Sequence, residues 1–227
     1  MASITQKELL LREEDIYFQK FTDKNGLDYG LRFGRPEDAK DISMIFKEIY
    51  GYNYDSPIVY NIDLLKKSLL DKNHFWFVGE LLENNEIVGT GLLKKKRYIA
   101  HASKAVVKQK GQGLGVTTKI GAAGIITVSK LPQFKEVLRI DSDTRTSVIT
   151  AQKLIKNAGA ITYGLIPAYI NFGDVRKFKI EDNIPFPPKY EEAAFLHTII
   201  SKTLWNKREN NVYLLVKFLN PSIGDIS

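Results

Sequence analysis

A glycine-rich loop between a predicted strand and a predicted helix is the part of this chain whose residue types best fit a chemical task. The strand ends in Val106 and Val107, and glycine then occupies every second position from Gly111 to Gly115. Glycines leave no Cβ atoms over the backbone, so several N–H groups can converge on an anion at the start of a helix. The pattern indicates a phosphate ligand. A hairpin also uses glycine, so the loop alone does not decide the question.

The distribution of charge favours a phosphate ligand at this loop. The chain carries a formal charge of +7, yet residues 1–89 hold 11 basic and 16 acidic side chains. Residues 90–156 hold 14 basic and only 3 acidic side chains, and residues 157–227 hold 8 and 7. The surplus is therefore concentrated around the glycine loop, where a polyanion site is expected. The alternative is a solvated lysine-rich face.

Several classes of phosphate and nucleic-acid site fit the sequence poorly. A Walker A loop needs a Gly-Lys-Ser/Thr ending, and the dinucleotide-binding pattern needs a third glycine where Val116 stands. The basic run from Lys94 to Arg97 suggests a nucleic-acid binder as a third-ranked hypothesis. We do not expect a nucleic-acid partner, because that run lacks the interleaved aromatic residues that stack on bases.

Composition excludes further classes of function. The chain has no cysteine, which rules out disulfides, thiolate nucleophiles and cysteine-ligated metal centres. His74 and His197 have no partner at metal-ligand spacing, so no metal is predicted. No apolar run approaches the roughly 20 residues of a membrane span. The N-terminal segment is acidic and amphipathic rather than like a signal peptide, so we expect a cytoplasmic protein with no membrane partner.

The elements that must position the loop follow from hydrophobic periodicity, glycine and proline. Strands are predicted over residues 29–35, 75–82, 87–93, 98–107, 137–140, 161–166 and 212–219. Helices are predicted over residues 8–17, 36–50, 61–70, from the glycine loop to 129, 147–157 and 190–204, with a turn at 23–26 and a proline-rich connector at 184–188. This order predicts an α/β (α+β) protein in which helices cover a mixed sheet.

The loop resembles the pyrophosphate loop of the GNAT superfamily of acyl-CoA-dependent N-acetyltransferases, whose form is Arg/Gln-x-x-Gly-x-Gly/Ala. Lys110, Gly113 and Gly115 stand at its defined positions, and lysine in place of Arg/Gln keeps the positive charge but loses a planar donor set. Residues 31–39, 86–89 and 147–159 resemble other conserved parts of that family in the same order. The tyrosine-rich loop at 50–54 and residues 164–168 are similar to a subgroup with no settled substrate.

The resemblance covers residues 30–170 and implies a GNAT-like fold. That fold has a mixed, mostly antiparallel central sheet of about seven strands flanked by helices. Residues 1–28 are then an N-terminal extension and residues 29–170 the acetyltransferase core. Residues 171–227 are a connector, helix and strand that complete the same domain or contribute to a homodimer contact.

The resemblance also implies acetyl-CoA as the acyl donor, with an amine as the acceptor. The amine attacks the thioester directly in a ternary complex, and the two partners are a CoA thioester and a small-molecule or peptide amine. The alternative is a non-catalytic acyl-CoA-binding regulatory domain. The residues assigned to CoA are Val106, Val107, Lys108, Lys110, Gly111, Gln112, Gly113, Leu114, Gly115 and Val116.

The catalytic assignments are His101, Asp143 and Tyr163. By the family's register, His101 stands where many relatives carry a glutamate base, and imidazole can serve because its ordinary pKa is near 6.5. The alternative is that His101 is a structural strand residue whose ring is hydrogen-bonded to a backbone carbonyl. The family's frequent tyrosine acid falls on Ile155 here, which leaves Tyr163 and Tyr169 as substitutes or as core residues.

The acceptor site is assigned to Tyr52, Tyr54 and Asp141. Asp141 and Asp143 flank the end of the fifth predicted strand, where a carboxylate can bind an ammonium group, although Asp143 can also start a turn or helix. The tyrosines either line the acceptor pocket or pack beneath their loop. The acidic surplus of residues 1–89 favours a cationic amine.

Overall fold

The computed structural model describes residues 16–52, 54–171 and 191–200. Eight strands lie in these ranges: β1 (Gln19–Thr22), β2 (Asp28–Phe33), β3 (His74–Leu81), β4 (Glu86–Lys96), β5 (Ile99–Val107), β6 (Arg139–Arg145), β7 (Ile161–Asn171) and β8 (Glu191–Ile200). The same ranges hold four α-helices: α1 (Ala39–Tyr50), α2 (Ile62–Leu70), α3 (Val116–Ser129) and α4 (Ile149–Asn157).

All eight strands form one sheet in the order β1-β2-β3-β4-β5-β6-β8-β7. Every neighbouring pair is antiparallel except β5 and β6, which are parallel. The predicted class, a mixed and mostly antiparallel sheet flanked by helices, is therefore confirmed. The described part of the chain has one strand more than the predicted seven.

Helices cover both faces of the sheet, and the alternation of side chains along β3 shows how. Phe75 and Phe77 pack into the core beneath α3 and α4, whereas Trp76 and Val78 pack beneath α1 and α2. Because neighbouring side chains of a strand point to opposite faces, one fully apolar strand supplies both cores.

A buried ion network fixes the start of α1 against the sheet. Arg32 on β2 donates from Nε to Glu80 on β3 at 2.7 Å and from both terminal nitrogens to the carboxylate of Asp38 at 2.8 and 3.0 Å. Asp38 also accepts the backbone N–H of Arg35, and Glu80 accepts the hydroxyl of Tyr17. Since every charged member has a partner, the cost of burying these charges is offset by charge-assisted hydrogen bonds.

The prediction of a helix over residues 190–204 is wrong for its described part. Residues 191–200 form β8, which pairs with β6 on one side and β7 on the other. The apolar residues Ala193 to Leu196, followed by Ile199 and Ile200, do not show the strict alternation of a strand with one exposed face. Periodicity cannot distinguish such a run from a buried helix.

Other element boundaries also differ from the predictions. The strand predicted over 137–140 instead runs from Arg139 to Arg145, and the unpredicted β1 pairs with β2 through the predicted turn at 23–26. Residues 8–15 of the predicted first helix, the connector at 184–188 and the strand at 212–219 lie outside the described residues. The proposed division at 28/29 and 170/171 stays a prediction.

His197 joins the three strands at the β7 end of the sheet. Its side chain is 1% exposed, and its two ring nitrogens bond the hydroxyl oxygens of Thr144 on β6 at 2.7 Å and Thr162 on β7 at 3.0 Å. Burial lowers the pKa of His197 to about 4, since the charged imidazolium is poorly solvated there. The histidine is therefore neutral at physiological pH and acts as a hydrogen-bonded spacer between strands.

His197 should make the fold sensitive to acid. The unfolded chain takes up the imidazole proton near pH 6.5, whereas the folded chain takes it up only near pH 4. The contribution of His197 to the free energy of unfolding is complete above pH 6.5. It decreases as the pH falls to 4, by roughly 1.4 kcal/mol per pH unit at most. In urea unfolding at pH 7.0, 5.5 and 4.5, the free energy of unfolding should fall more steeply with decreasing pH for the native protein than for His197→Gln. Equal slopes for the two proteins would contradict this account.

Candidate active site between the parted strands

β5 and β6 begin as neighbours and then separate. They pair in parallel only from Ile99 with Arg139 to His101 with Asp141, although β5 continues to Val107 and β6 to Arg145. A cavity of about 590 Å³ lies in the space that follows. Its lining extends from the glycine loop, past α3 and α4, to the loop that follows α1.

A bulge interrupts β5 beside this cavity. The register with β4 shifts between the pair Thr90–Val106 and the pair Leu92–Ser103, so β5 contains one more residue than β4 there. Lys104 lies in the bulge with a φ of 58°. A positive φ is uncommon for a lysine, and a bulge of this kind turns a side chain away from the regular alternation of the strand. Lys104 lines the cavity.

The glycine loop forms one end of the cavity, as its residue types suggest. Gln112, Gly113 and Thr117 line it, and so do Val106 and Val107 at the end of β5. Gly113 has a φ of 82°, a conformation that glycine adopts without strain, and an added Cβ there would meet no atom within 4 Å. The backbone of Gly113 is therefore open to the cavity.

The loop leads directly into the N-terminus of α3. Gly115 is the N-cap residue with a φ of 83°, so no side chain caps the helix, and the first turn contains no acidic residue. The first N–H groups of a helix lack intrahelical partners, and the helix dipole adds positive potential at that end. A 14-residue helix beginning at an open glycine loop is suited to hold an anionic group.

Six of the ten residues assigned to CoA are absent from the cavity lining: Lys108, Lys110 and four that shape the loop. Gly111 is buried against Val107, where an added Cβ would lie 2.8 Å from the valine side chain. Leu114 packs against the core, Gly115 caps α3, and Val116 is fully buried. These residues shape the loop rather than face the cavity.

The two lysines of the loop are held by one carboxylate. Glu86, the first residue of β4, accepts a hydrogen bond of 2.8 Å from Lys108 Nζ and a second one from Lys110 Nζ. These hydrogen bonds, to Lys108 first and then to Lys110, lower the pKa of Glu86 to about 2. A second carboxylate, that of Glu48 on α1, accepts the backbone N–H of Gln109 at 2.8 Å and lines the cavity.

His101 and Asp143, assigned to catalysis from different strands, meet at the point where β5 and β6 separate. His101 Nε2 lies 3.0 Å from Asp143 Oδ1. The side chains are 47% and 25% exposed, so both are accessible to a substrate from solvent. Asp143 lines the cavity, while His101 stands at its margin.

The tyrosines assigned to the acceptor site differ in placement. Tyr54 lines the cavity and packs against the rings of Phe46 and Tyr50, with centroids 4.7 and 4.9 Å away. Its burial raises its pKa well above the ordinary value, which keeps the phenol protonated. Tyr52 is 74% exposed and packs against Tyr60 outside the cavity lining.

Asp141 and Tyr163 lie away from the cavity lining. Asp141 forms an ion pair of 3.0 Å with Arg139 on its own strand. Tyr163 belongs to β7, which is separated from β6 by β8. Ile155, at the family's tyrosine slot, is buried on α4 and lines the cavity. Nothing in the sequence near residues 161–166 indicates this separation, because β8, which lies between β6 and β7, comes from a distant part of the chain.

Sequence reasoning missed several charged residues of the cavity. The additional lining groups are Glu48, Asp55, Lys104 and Arg145. The one local signal for Lys104 was the presence of a lysine inside the predicted strand 98–107. The other three lie near the ends of α1, its following loop and β6, and the tertiary fold alone brings them together.

Among residues 16–52, 54–171 and 191–200, no helix is long and apolar enough to cross a membrane. No group of three or more histidine, aspartate or glutamate side chains in them is arranged to hold a metal ion.

Solved structures share this architecture, although no family model and no curated protein matches the sequence. A ribosomal-protein-S5-alanine acetyltransferase from Vibrio fischeri aligns with a TM-score of 0.58 and 16% identity over 81% of this chain and 97% of its own. A GNAT-family acetyltransferase from Streptococcus pneumoniae gives 0.57 and 14% identity over 76% and 99% of the two chains.

A spermidine N-acetyltransferase mutant from Vibrio cholerae gives a TM-score of 0.56 and 14% identity over 80% of this chain and 98% of its own. Nearly the whole length of each of these acetyltransferases is covered. The chain has the fold of the GNAT acetyltransferases.

Proposed function

We propose that this protein is an N-acetyltransferase that transfers an acetyl or related acyl group from acyl-CoA to a primary amine. The observation that carries the proposal is the single cavity that connects the glycine loop at Gly113 with Asp143 of the His101–Asp143 pair. One end suits the pyrophosphate of CoA, and the other suits proton transfer. The solved acetyltransferases of the same fold support this assignment.

The donor end would bind CoA through backbone groups rather than through a dedicated side chain. The unobstructed backbone of Gly113 and the uncapped N-terminus of α3 supply donors and positive potential. Lys108 and Lys110 would add charge, although Glu86 partly neutralises both of them. Unpaired strand edges beside the β5 bulge would receive the pantetheine arm between β5 and β6.

The His101–Asp143 pair would remove the proton from the acceptor ammonium. If Nε2–H donates to Asp143, Nδ1 carries the lone pair that accepts a proton, and the carboxylate stabilises the imidazolium that forms. The new C–N bond then forms as the C–S bond breaks, and the thiolate must be protonated. Tyr54 is the better candidate for that proton than Tyr163, because Tyr54 lines the cavity and Tyr163 does not.

The lining of the cavity as a whole contains more carboxylates than cations. Glu48, Asp55 and Asp143 line the cavity together with Lys104 and Arg145. This excess attracts a cationic amine, in agreement with the acidic surplus of residues 1–89. Asp141 and Tyr52 would act, if at all, at the outer margin rather than within the cavity.

An assay of thiol release with acetyl-CoA tests the proposed activity. The acceptor panel should contain polyamines, amino acids, aminoglycosides and peptides. With the best acceptor, His101→Gln should lower kcat by about 100-fold, the scale of a lost general base. His74→Gln is the matched control, because His74 bonds Ser68 at 2.8 Å and does not line the cavity. Its kcat should be unchanged.

Two outcomes of this assay would contradict the proposal or its mechanism. If calorimetry shows CoA binding while no acceptor causes thiol release, the non-catalytic acyl-CoA-binding domain is the better account. That alternative is favoured by Ile155, which replaces the family's tyrosine acid at the cavity wall. If His101→Gln and His74→Gln retain equal activity, the pair is not the base.

The glycine loop offers a separate test of CoA binding. Gly113→Ala places a methyl group where the pyrophosphate must approach the backbone, so the Kd for CoA should rise by about tenfold, equivalent to about 1.4 kcal/mol. Gly26→Ala is the control, since Gly26 has a φ of 84°, an equally open Cβ position and a place in the β1–β2 turn. The two variants should lose similar stability because their backbone strain is alike.

Calorimetric titration with CoA and thermal unfolding of both variants provide the measurements. An unchanged Kd for Gly113→Ala would show that the loop is structural. An equal loss of affinity in Gly26→Ala would show that general destabilisation, rather than the loop, weakens binding.

A further inference from the structure

Lys104 is the amine that the fold itself places in the reaction cavity. It lies in the β5 bulge, where a φ of 58° departs from the strand conformation, and it lines the cavity between the parted strands. A regular strand would alternate strictly between the two faces. The bulge departs from this alternation at Lys104, which lines the cavity together with its neighbours Ser103 and Ala105.

The surroundings of Lys104 resemble those expected for a bound acceptor ammonium. The negative charges of Asp55 and Asp143, both on the cavity wall, attract it, while Lys94 repels it. Among residues 16–52, 54–171 and 191–200, no carboxylate lies within 4.0 Å of its ammonium group. Lys104 is thus held electrostatically in the acceptor region without a close ion pair that would sequester its nitrogen.

The ammonium is also easier to deprotonate than that of a surface lysine. Burial lowers the pKa of Lys104, and Asp55 and Asp143 only partly oppose this effect. A neutral amine is the species that attacks a thioester. Asp143 bonds His101 and also attracts the ammonium group of Lys104. The proposed proton acceptor is therefore near this lysine.

We propose that Lys104 is a self-acetylation site, at which the protein acetylates its own side chain from bound acetyl-CoA when no external amine fills the cavity. This inference rests on the proposed function. Lys104 Nζ forms the new C–N bond with the acyl carbon, and the C–S bond breaks. Of the two protons that the ammonium loses, one passes to the His101–Asp143 pair before the attack and the other passes to the departing thiolate, so the products are acetyl-lysine, CoA with a free thiol and one proton.

Self-acetylation would change the acceptor end of the cavity. An acetyl-lysine has no positive charge, so Asp55 and Asp143 would lose the cation that faces them. The added acetyl group would also occupy space that an external amine needs. The modified protein should therefore have a higher KM for its acceptor and should still bind CoA through the glycine loop.

The experiment incubates the full-length protein with isotopically labelled acetyl-CoA and no acceptor, followed by intact-mass measurement and peptide mapping. Label should appear at Lys104 at least about tenfold faster than at the exposed Lys66 on α2, because the cavity holds the two reactants together. The rate per molecule should not depend on protein concentration. Lys104→Arg keeps the charge and should abolish this label, whereas Lys66→Arg should not.

The outcomes separate this inference from the proposed function. Labelling of Lys104 and Lys66 at equal rates, or equally in heat-denatured protein, would overturn self-acetylation in favour of non-specific chemical acetylation. Thiol release with an external amine, but no label at Lys104, would overturn the inference alone. A failure to bind CoA by calorimetry would overturn both proposals.

Discussion

The short parallel contact between β5 and β6 is the constraint on which the site depends. Only three residues of each strand are paired, Ile99–His101 of β5 with Arg139–Asp141 of β6, and the strands then separate. In a continuous sheet this space would be filled by ladder hydrogen bonds and packed side chains. Here the strands are held at their common end, and helices α3 and α4 support the widening gap. The cavity is thus a consequence of the fold and not of a flexible loop.

This geometry also explains why the chemical groups of the site come from different parts of the sequence. The glycine loop closes one end of the cavity because β5 leads directly into α3. His101 and Asp143 meet at the other end because they lie on the two strands at the point of separation. The remaining strands fix these positions, with His197 joining β6, β8 and β7 through two threonine hydroxyls.

The sequence predicts the features that local signals determine. The alternating glycines, the helices on both sides of the tyrosine-rich loop and the β3–β4 hairpin agree with the structure to within a few residues, apart from longer ends of β4. The insertion of β8 between β6 and β7 was not predictable from periodicity, since a buried strand and a buried helix share an apolar pattern. The positive φ of Lys104 is likewise invisible in the sequence, because a mismatch between two paired strands produces it. The separation of Tyr163 from the cavity follows from the same unpredicted insertion.

The most direct test of the central claim is a crystal structure of the protein with CoA. The account predicts that the pyrophosphate lies over Gly113 at the N-terminus of α3, with the pantetheine arm between β5 and β6 and the thiol directed toward the His101–Asp143 pair. CoA bound outside the space between β5 and β6, or with its pyrophosphate away from the glycine loop, would contradict the account.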